Sequence, residues 1–180
     1  RTYTPQSFYK EYAGNDLKND YVMLMNDPKR EYYRLYEIDY DRHAYDGQNW
    51  TYVNLPVEDI KKMAIESIKG NDMMYFSCDV GKSFDRSRGI LDVNHFDYES
   101  LFGTKFGMDK ADRIRTFASA SSHAMTLVAV DLDESGKPRK WMVENSWGPG
   151  ANDGHLIMTD RWFDEYMFRL VVDKKYITPK

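Results

Sequence analysis

The sequence predicts an α+β domain. Two observations carry that expectation: the strand-like runs are mostly linked by hairpin-type turns, and the helical runs segregate from them instead of alternating strand by strand. A third is that 180 residues, 42% of them hydrophobic and 15% aromatic, supply enough apolar side chain for one ordinary core and argue against disorder.

Thr4-Pro5 ahead of Gln6-Ser7-Phe8-Tyr9 is a capped helix start, with Thr4 at the N-cap and Pro5 at the first helical position. Gly14-Asn15-Asp16 ends it. Tyr21 to Met25 is a short strand, closed by Asn26-Asp27-Pro28. Residues 33–40 alternate apolar and polar as a half-buried strand does. Asp46-Gly47 marks a turn before a strand from Trp50 to Val53. After Leu55-Pro56, the residues Val57, Ile60, Ala64 and Ile68 fall on one helical face, and Gly70 supplies the stop. Met73 to Cys78 is a buried strand. Residues 81–107 are irregular and Gly-rich, and Lys110 to Phe117 is a short helix. Then come strands at 124–130 and 140–144 joined by the loop Asp133-Glu134-Ser135-Gly136-Lys137-Pro138, a strand at 155–159, a helical turn from Asp160 and a last strand at 168–172.

The charge and cysteine content narrow the classes of function. A formal net charge of −4 gives no global reason to bind nucleic acid or an anionic membrane. No apolar run approaches the ~18 residues of a membrane span. The chain opens on Arg1 in polar sequence, without a visible signal peptide or an initiator Met, so it reads as processed or as part of something longer. One cysteine, Cys78, excludes an internal disulfide framework and a multi-cysteine zinc site, and fits a reducing, cytoplasmic compartment.

The residues that carry chemistry lie in the last third. His123 opens one strand and Asn145 closes the next, with a tight loop between. Antiparallel pairing sets those ends side by side, within hydrogen-bond reach. Histidine supplies a general base with a pKa near working pH. An amide oxygen accepting one ring N–H fixes its tautomer and leaves the other nitrogen for a nucleophile. With a thiol, the pair becomes thiolate–imidazolium, and the thiol pKa falls to ~3–4.

HAM at 123–125 and VENSWG at 143–148 resemble the His and Asn blocks of papain-type peptidases. WMVENSWG at 141–148, MTDRWFDEY at 158–166, VVDKKY at 171–176 and FSCDVGK at 76–82 are similar to the bleomycin hydrolase/aminopeptidase C branch of that family. ITPK, at the end, resembles the beginning of that branch's C-terminal tail. The resemblance runs from Thr4-Pro5 to Tyr176. It implies a papain-like cysteine proteinase fold, of which residues 1–180 form mainly the antiparallel, β-barrel-like half with flanking helices. It also implies that His123 and Asn145 are catalytic and that Trp147 shelters their hydrogen bond from water. The activity implied is a cysteine-type aminopeptidase, acting on peptides by a Cys-His-Asn mechanism without cofactor or metal, in a homo-oligomer that is a hexamer in relatives. The family's nucleophilic Cys and oxyanion-hole Gln belong to an N-terminal half absent from this chain, and Cys78 does not match them.

Plainer readings stand beside these. Taken alone, His123 is a structural histidine and Asn145 a turn residue before Gly148-Pro149-Gly150. Cys78 is a small buried hydrophobe at a strand end. His95 and His155 are packing or surface residues, and His43 with Asp41 and Asp46 is a charged loop before it is a metal site. Trp50, Trp141 and Trp162 are core or sheet-packing aromatics. Lys61-Lys62 and Lys174-Lys175 are solvated faces. A catalytically inactive fragment or pseudo-peptidase, serving assembly or peptide binding, is the alternative to an enzyme. A sugar- or nucleic-acid-binding domain built on exposed aromatics is a third reading, with no basic stripe to support it.

Overall fold

The computed structural model describes residues 1–14 and 16–177. A capping box holds α1 (Pro5–Phe8): the Thr4 side chain accepts from Ser7 N–H, and Ser7 reaches back to the backbone of Thr4. A π-turn over Tyr9–Ala13 follows and stops at Gly14, whose φ of 64° is left-handed. In the turn expected there, Asn15 lies outside the described residues. After α2 (Leu17–Asp20) come β1 (Tyr21–Met25), β2 (Arg34–Ile38) and β3 (Trp50–Asn54). The long helix α3 (Val57–Lys69) leads to β4 (Met74–Cys78).

The irregular stretch expected at 81–107 contains three short elements: β5 (Phe84–Asp85), β6 (Ile90–Leu91) and α4 (Tyr98–Phe102). Two-residue strands carry no periodicity, so nothing local announces them. Then come α5 (Lys110–Arg115), β7 (His123–Leu132), β8 (Pro138–Glu144), β9 (His155–Thr159), α6 (Asp160–Tyr166) and β10 (Met167–Asp173).

The strands of the described residues form one sheet of ten, in the order β2-β3-β1-β10-β4-β7-β8-β9-β6-β5. Most neighbours are antiparallel, as expected. The β1–β3 and β6–β9 pairings are parallel, so the sheet is mixed. This is an α+β architecture: helices such as α3 and α6 pack on a sheet whose neighbouring strands are mostly antiparallel.

The core lies on one face. Met74, Phe76 and Cys78 of β4 register with Leu127, Met125 and His123 of β7, so alternate residues of both strands point the same way. Ile60, Met63, Ala64 and Ile65 of α3 are buried in the same apolar cluster. Trp141 stacks on Phe163 at 4.7 Å, and Phe163 meets Phe76 at 5.4 Å. Trp141 and Trp162 are core residues as expected. Trp50 is only half-buried and packs beside His43 and Tyr52 at the far end of the sheet.

Lys61 corrects the expectation of a solvated basic pair. It is 4% exposed, with its Nζ 2.8 Å from Asp160 Oδ2 and 2.5 Å from Asp164 Oδ1 of α6. Lys62 stays exposed and pairs with Asp59. Asp160 also accepts from Trp141 Nε1 at 2.9 Å, so one lysine ties α3, α6 and β8 together. The α3 stripe falls so that Lys61 sits between core positions 60 and 64, and only the arrival of α6 supplies its counter-charges.

Candidate active site

His123 is the first residue of β7, on the same face as the buried Met125 and Leu127 that follow it, and it is half-buried where the strand begins. The β7–β8 ladder reaches its last pair at Thr126–Glu144, and Asn145 leaves the strand directly after it. The loop that follows is closed at its base: Glu144 pairs with His155, and Asn145 N–H donates to the Gly154 carbonyl at 3.0 Å. Gly154 has φ +84°, and a Cβ there would lie 3.2 Å from the Gly148 oxygen, so the tight return requires glycine.

These two anchors bring the side chains together. His123 Nε2 lies 2.9 Å from Asn145 Oδ1. The backbone N–H of Ser146 donates to the same Oδ1 at 2.8 Å. A backbone N–H only donates, so that atom is the amide oxygen, and Nε2 must carry the ring proton. Nδ1 is left with its lone pair and has no hydrogen-bond partner among the described residues.

Trp147 stacks on the His123 ring at 4.7 Å and 28°, while staying 49% exposed itself. Beyond it lie Phe84, with ring centroids 6.1 Å apart, and Arg86, whose guanidinium carbon is 5.7 Å from the indole centroid. A groove runs past Asn145, Trp147, Phe84 and Arg86 and along the glycine backbone of the 148–154 loop. Phe84 and Arg86 escaped the sequence reading. They reach the site through the parallel β6–β9 pairing of Ile90 with Ile157. Gly89, buried with φ +65°, permits that approach, because a Cβ would meet Ala151 Cβ at 3.0 Å. The only sequence signal was a glycine in an irregular segment.

The other singled-out residues lie elsewhere in chemical terms. Cys78 is fully buried, and burial, with the neighbouring Asp79 charge second, pushes its thiol well up from the usual range. A thiol held protonated in the core is not a nucleophile. His95 Nε2 sits 3.3 Å from Asp85 Oδ2, and His155 Nδ1 lies 3.1 Å from the Asn152 carbonyl. His43 packs edge-on to Trp50 at 4.7 Å. Among the described residues no three His, Cys, Asp or Glu side chains converge on a possible metal site. No described helix is long and apolar enough to cross a membrane.

Several known proteins are similar to this chain in sequence and in fold. Aminopeptidase G of Lactobacillus delbrueckii subsp. lactis is 40% identical over 176 residues, which is 97% of this chain and 40% of that protein. Bleomycin hydrolase of Homo sapiens is 41% identical over 182 residues, again 97% of this chain and 40% of the relative. Aminopeptidase C of Lactococcus lactis subsp. cremoris is 36% identical over 178 residues, 97% and 41%. The crystal structure of PepW from Lactobacillus rhamnosis superposes with a TM-score of 0.93 at 39% identity, covering 99% of this chain and 40% of that one. The chain thus spans about two fifths of the length of the curated relatives it matches. The model of the Peptidase C1-like family matches residues 1–180, end to end. With relatives this similar along its whole length, the chain belongs to the Peptidase C1-like family.

Proposed function

We propose that this chain supplies the His and Asn of a cysteine peptidase site, with His123 and Asn145 catalytic and the nucleophilic Cys contributed by a part of the protein outside these residues. The observation that carries the reading is the 2.9 Å contact from His123 Nε2 to Asn145 Oδ1, which leaves Nδ1 without a partner among the described residues. The incoming thiol gives its proton to Nδ1. The thiolate then adds to the scissile carbonyl carbon, and the carbonyl electrons move to oxygen. As the tetrahedral adduct collapses, the C–N bond breaks and the amine takes the proton from Nδ1, leaving a thioester. Water next loses a proton to Nδ1 and its oxygen attacks the thioester. The C–S bond breaks, and thiolate and imidazolium are restored. Asn145 holds the ring throughout, and Trp147, stacked on the imidazole, keeps water from the His–Asn hydrogen bond.

The names of the relatives make an aminopeptidase the favoured kind of peptidase, with peptides as substrates. The reading places the protein in a cytoplasmic setting, which the single unpaired cysteine suits. It also makes the protein a homo-oligomer, on the resemblance alone. The test is hydrolysis of an aminoacyl peptide by the full-length protein before and after thiol alkylation. Loss of turnover on alkylation supports the mechanism, and full activity after complete alkylation rejects it.

One observation favours a second reading. The only thiol of the chain, Cys78, is shut in the core with its protonated form favoured. By itself the chain would then be an inactive module for assembly or peptide binding. A Gln…Cys segment encoded upstream of Arg1 decides for the peptidase.

A further inference from the structure

The groove beside Trp147 has one charged side chain among its lining residues, Arg86. Its guanidinium carbon lies 5.5 Å from the Phe84 ring centroid and 5.7 Å from that of Trp147. Among the described residues it has neither an ion pair nor a hydrogen-bond acceptor. The adjacent carboxylate is engaged elsewhere: Asp85 Oδ1 accepts from Ser87 and from the Arg88 N–H, and Asp85 Oδ2 faces His95. Arg86 is therefore a cation resting on two aromatic rings, with its N–H fork open to the groove.

The proposed mechanism says which part of a peptide passes there. The acyl part stays bonded to the sulfur, which comes from outside this chain. The departing amine takes its proton from His123, so the residues attached to that nitrogen lie along the wall built from His123 and Trp147. The indole is 4.7 Å from the imidazole and 5.7 Å from the guanidinium carbon, measured between centroids and to the carbon. One extended residue covers about 3.5 Å. A carboxylate one or two residues beyond the scissile nitrogen thus reaches Arg86.

We infer that Arg86 binds a carboxylate on the leaving-group side, making peptides that carry an acid next to the departing nitrogen preferred substrates; this rests on the peptidase reading above. The acid is either the C-terminal carboxylate of a dipeptide or an acidic side chain in the second residue. Guanidinium–carboxylate recognition is charge-assisted and can be bidentate, which gives it both strength and geometric selectivity.

The test uses the full-length protein and four substrates with one N-terminal residue: a dipeptide ending in free glycine, the same dipeptide as its amide, an aspartyl dipeptide as its amide, and a neutral anilide. Wild type is expected to prefer at least one acid-bearing substrate over the glycine amide by about tenfold in kcat/KM. The two acids separate the two sources of the carboxylate. Arg86→Gln is expected to erase the preference while leaving the amide and the anilide unchanged, and Arg86→Lys to keep part of it. An equal rate on acid and amide substrates in wild type overturns the inference, as does a preference that survives Arg86→Gln. So does an equal loss on all four substrates, which would mean that Arg86 only packs against Trp147. Anilide turnover that persists in these cases leaves the peptidase reading standing. Wild type inactive on all four substrates overturns both.

Discussion

Cys78 faces His123 directly across the β4–β7 ladder, as the terminal pair of that register. Residues so paired share a sheet face, with Cβ atoms about 5 Å apart. The only thiol and the site imidazole are thus neighbours, yet no hydrogen bond joins them among the described residues. The thiol is fully buried and held protonated, while the imidazole is turned to Asn145 at the rim. Proximity in a sheet does not make a nucleophile–base pair when one partner cannot ionise.

Cys78 should therefore resist alkylation while the chain is folded and react once it is unfolded in denaturant, as read by intact mass. In the full-length protein, Cys78→Ala should leave peptide turnover within about twofold and cost about 1 kcal/mol of stability through the small cavity it opens. A large loss of kcat with an unchanged fold would assign Cys78 a chemical role.

The His–Asn geometry predicts an order of effects in the full-length protein. On the proposed mechanism, His123→Ala removes the proton carrier and should lower kcat by about a thousandfold. Asn145→Ala leaves the carrier but frees the ring to turn, and should lower kcat by about tenfold to a hundredfold with KM little changed. Steady-state kinetics on one peptide checks both. Equal activity in Asn145→Ala and wild type would remove Asn145 from the machinery.

Lys110 makes stability depend on pH. Only 9% exposed, it donates to Asn26 Oδ1 at 2.7 Å and to the Asp164 carbonyl at 2.8 Å. Burial pushes its ammonium down to about 7, against the opposing pull of Asp164 and Glu165. An unfolded lysine titrates at about 10.4. Between those values the unfolded chain holds the extra proton, so stability should rise as pH rises from about 7 to about 10, while below about 7 both states are protonated and Lys110 adds no pH dependence. Urea midpoints across that window should show the rise in wild type and a flatter profile in Lys110→Met.

Lys61→Met leaves two carboxylates facing each other and should cost about 2 kcal/mol. The loss stays below that of a fully buried pair because the Asp160 and Asp164 side chains remain 26% and 34% exposed. Adding Asp164→Asn should recover about half of it, since one charge of the pair is then gone. Chemical denaturation of the single and double variants tests the ion triad, and an unaltered midpoint for Lys61→Met would show that it contributes nothing.

Much of this chain was legible locally, and for local reasons. Thr4-Pro5 capped a helix because the cap is a contact between residues three apart. The strands expected at 21–25, 155–159 and 168–172 were legible from apolar runs and turn residues close by, the last extending one residue further at each end. The His123–Asn145 contact was foreseeable because a hairpin needs only a short loop and two paired strands. Lys61 was misjudged because its carboxylate partners lie about a hundred residues away. Phe84 and Arg86 were missed because two-residue strands have no pattern to recognise.

The sequence by itself determined the chemical cast and the local elements: an imidazole and a carboxamide at facing strand ends, one cysteine, and the α+β succession. All of these follow from side-chain type and short-range backbone geometry. Only the tertiary structure decided which ring nitrogen faces Asn145, that Cys78 is shut in the core, and that Arg86 reaches Trp147 through the β6–β9 pairing. Burial, ionisation and the approach of distant segments depend on neighbours far along the chain, and those neighbours exist only once the sheet has assembled.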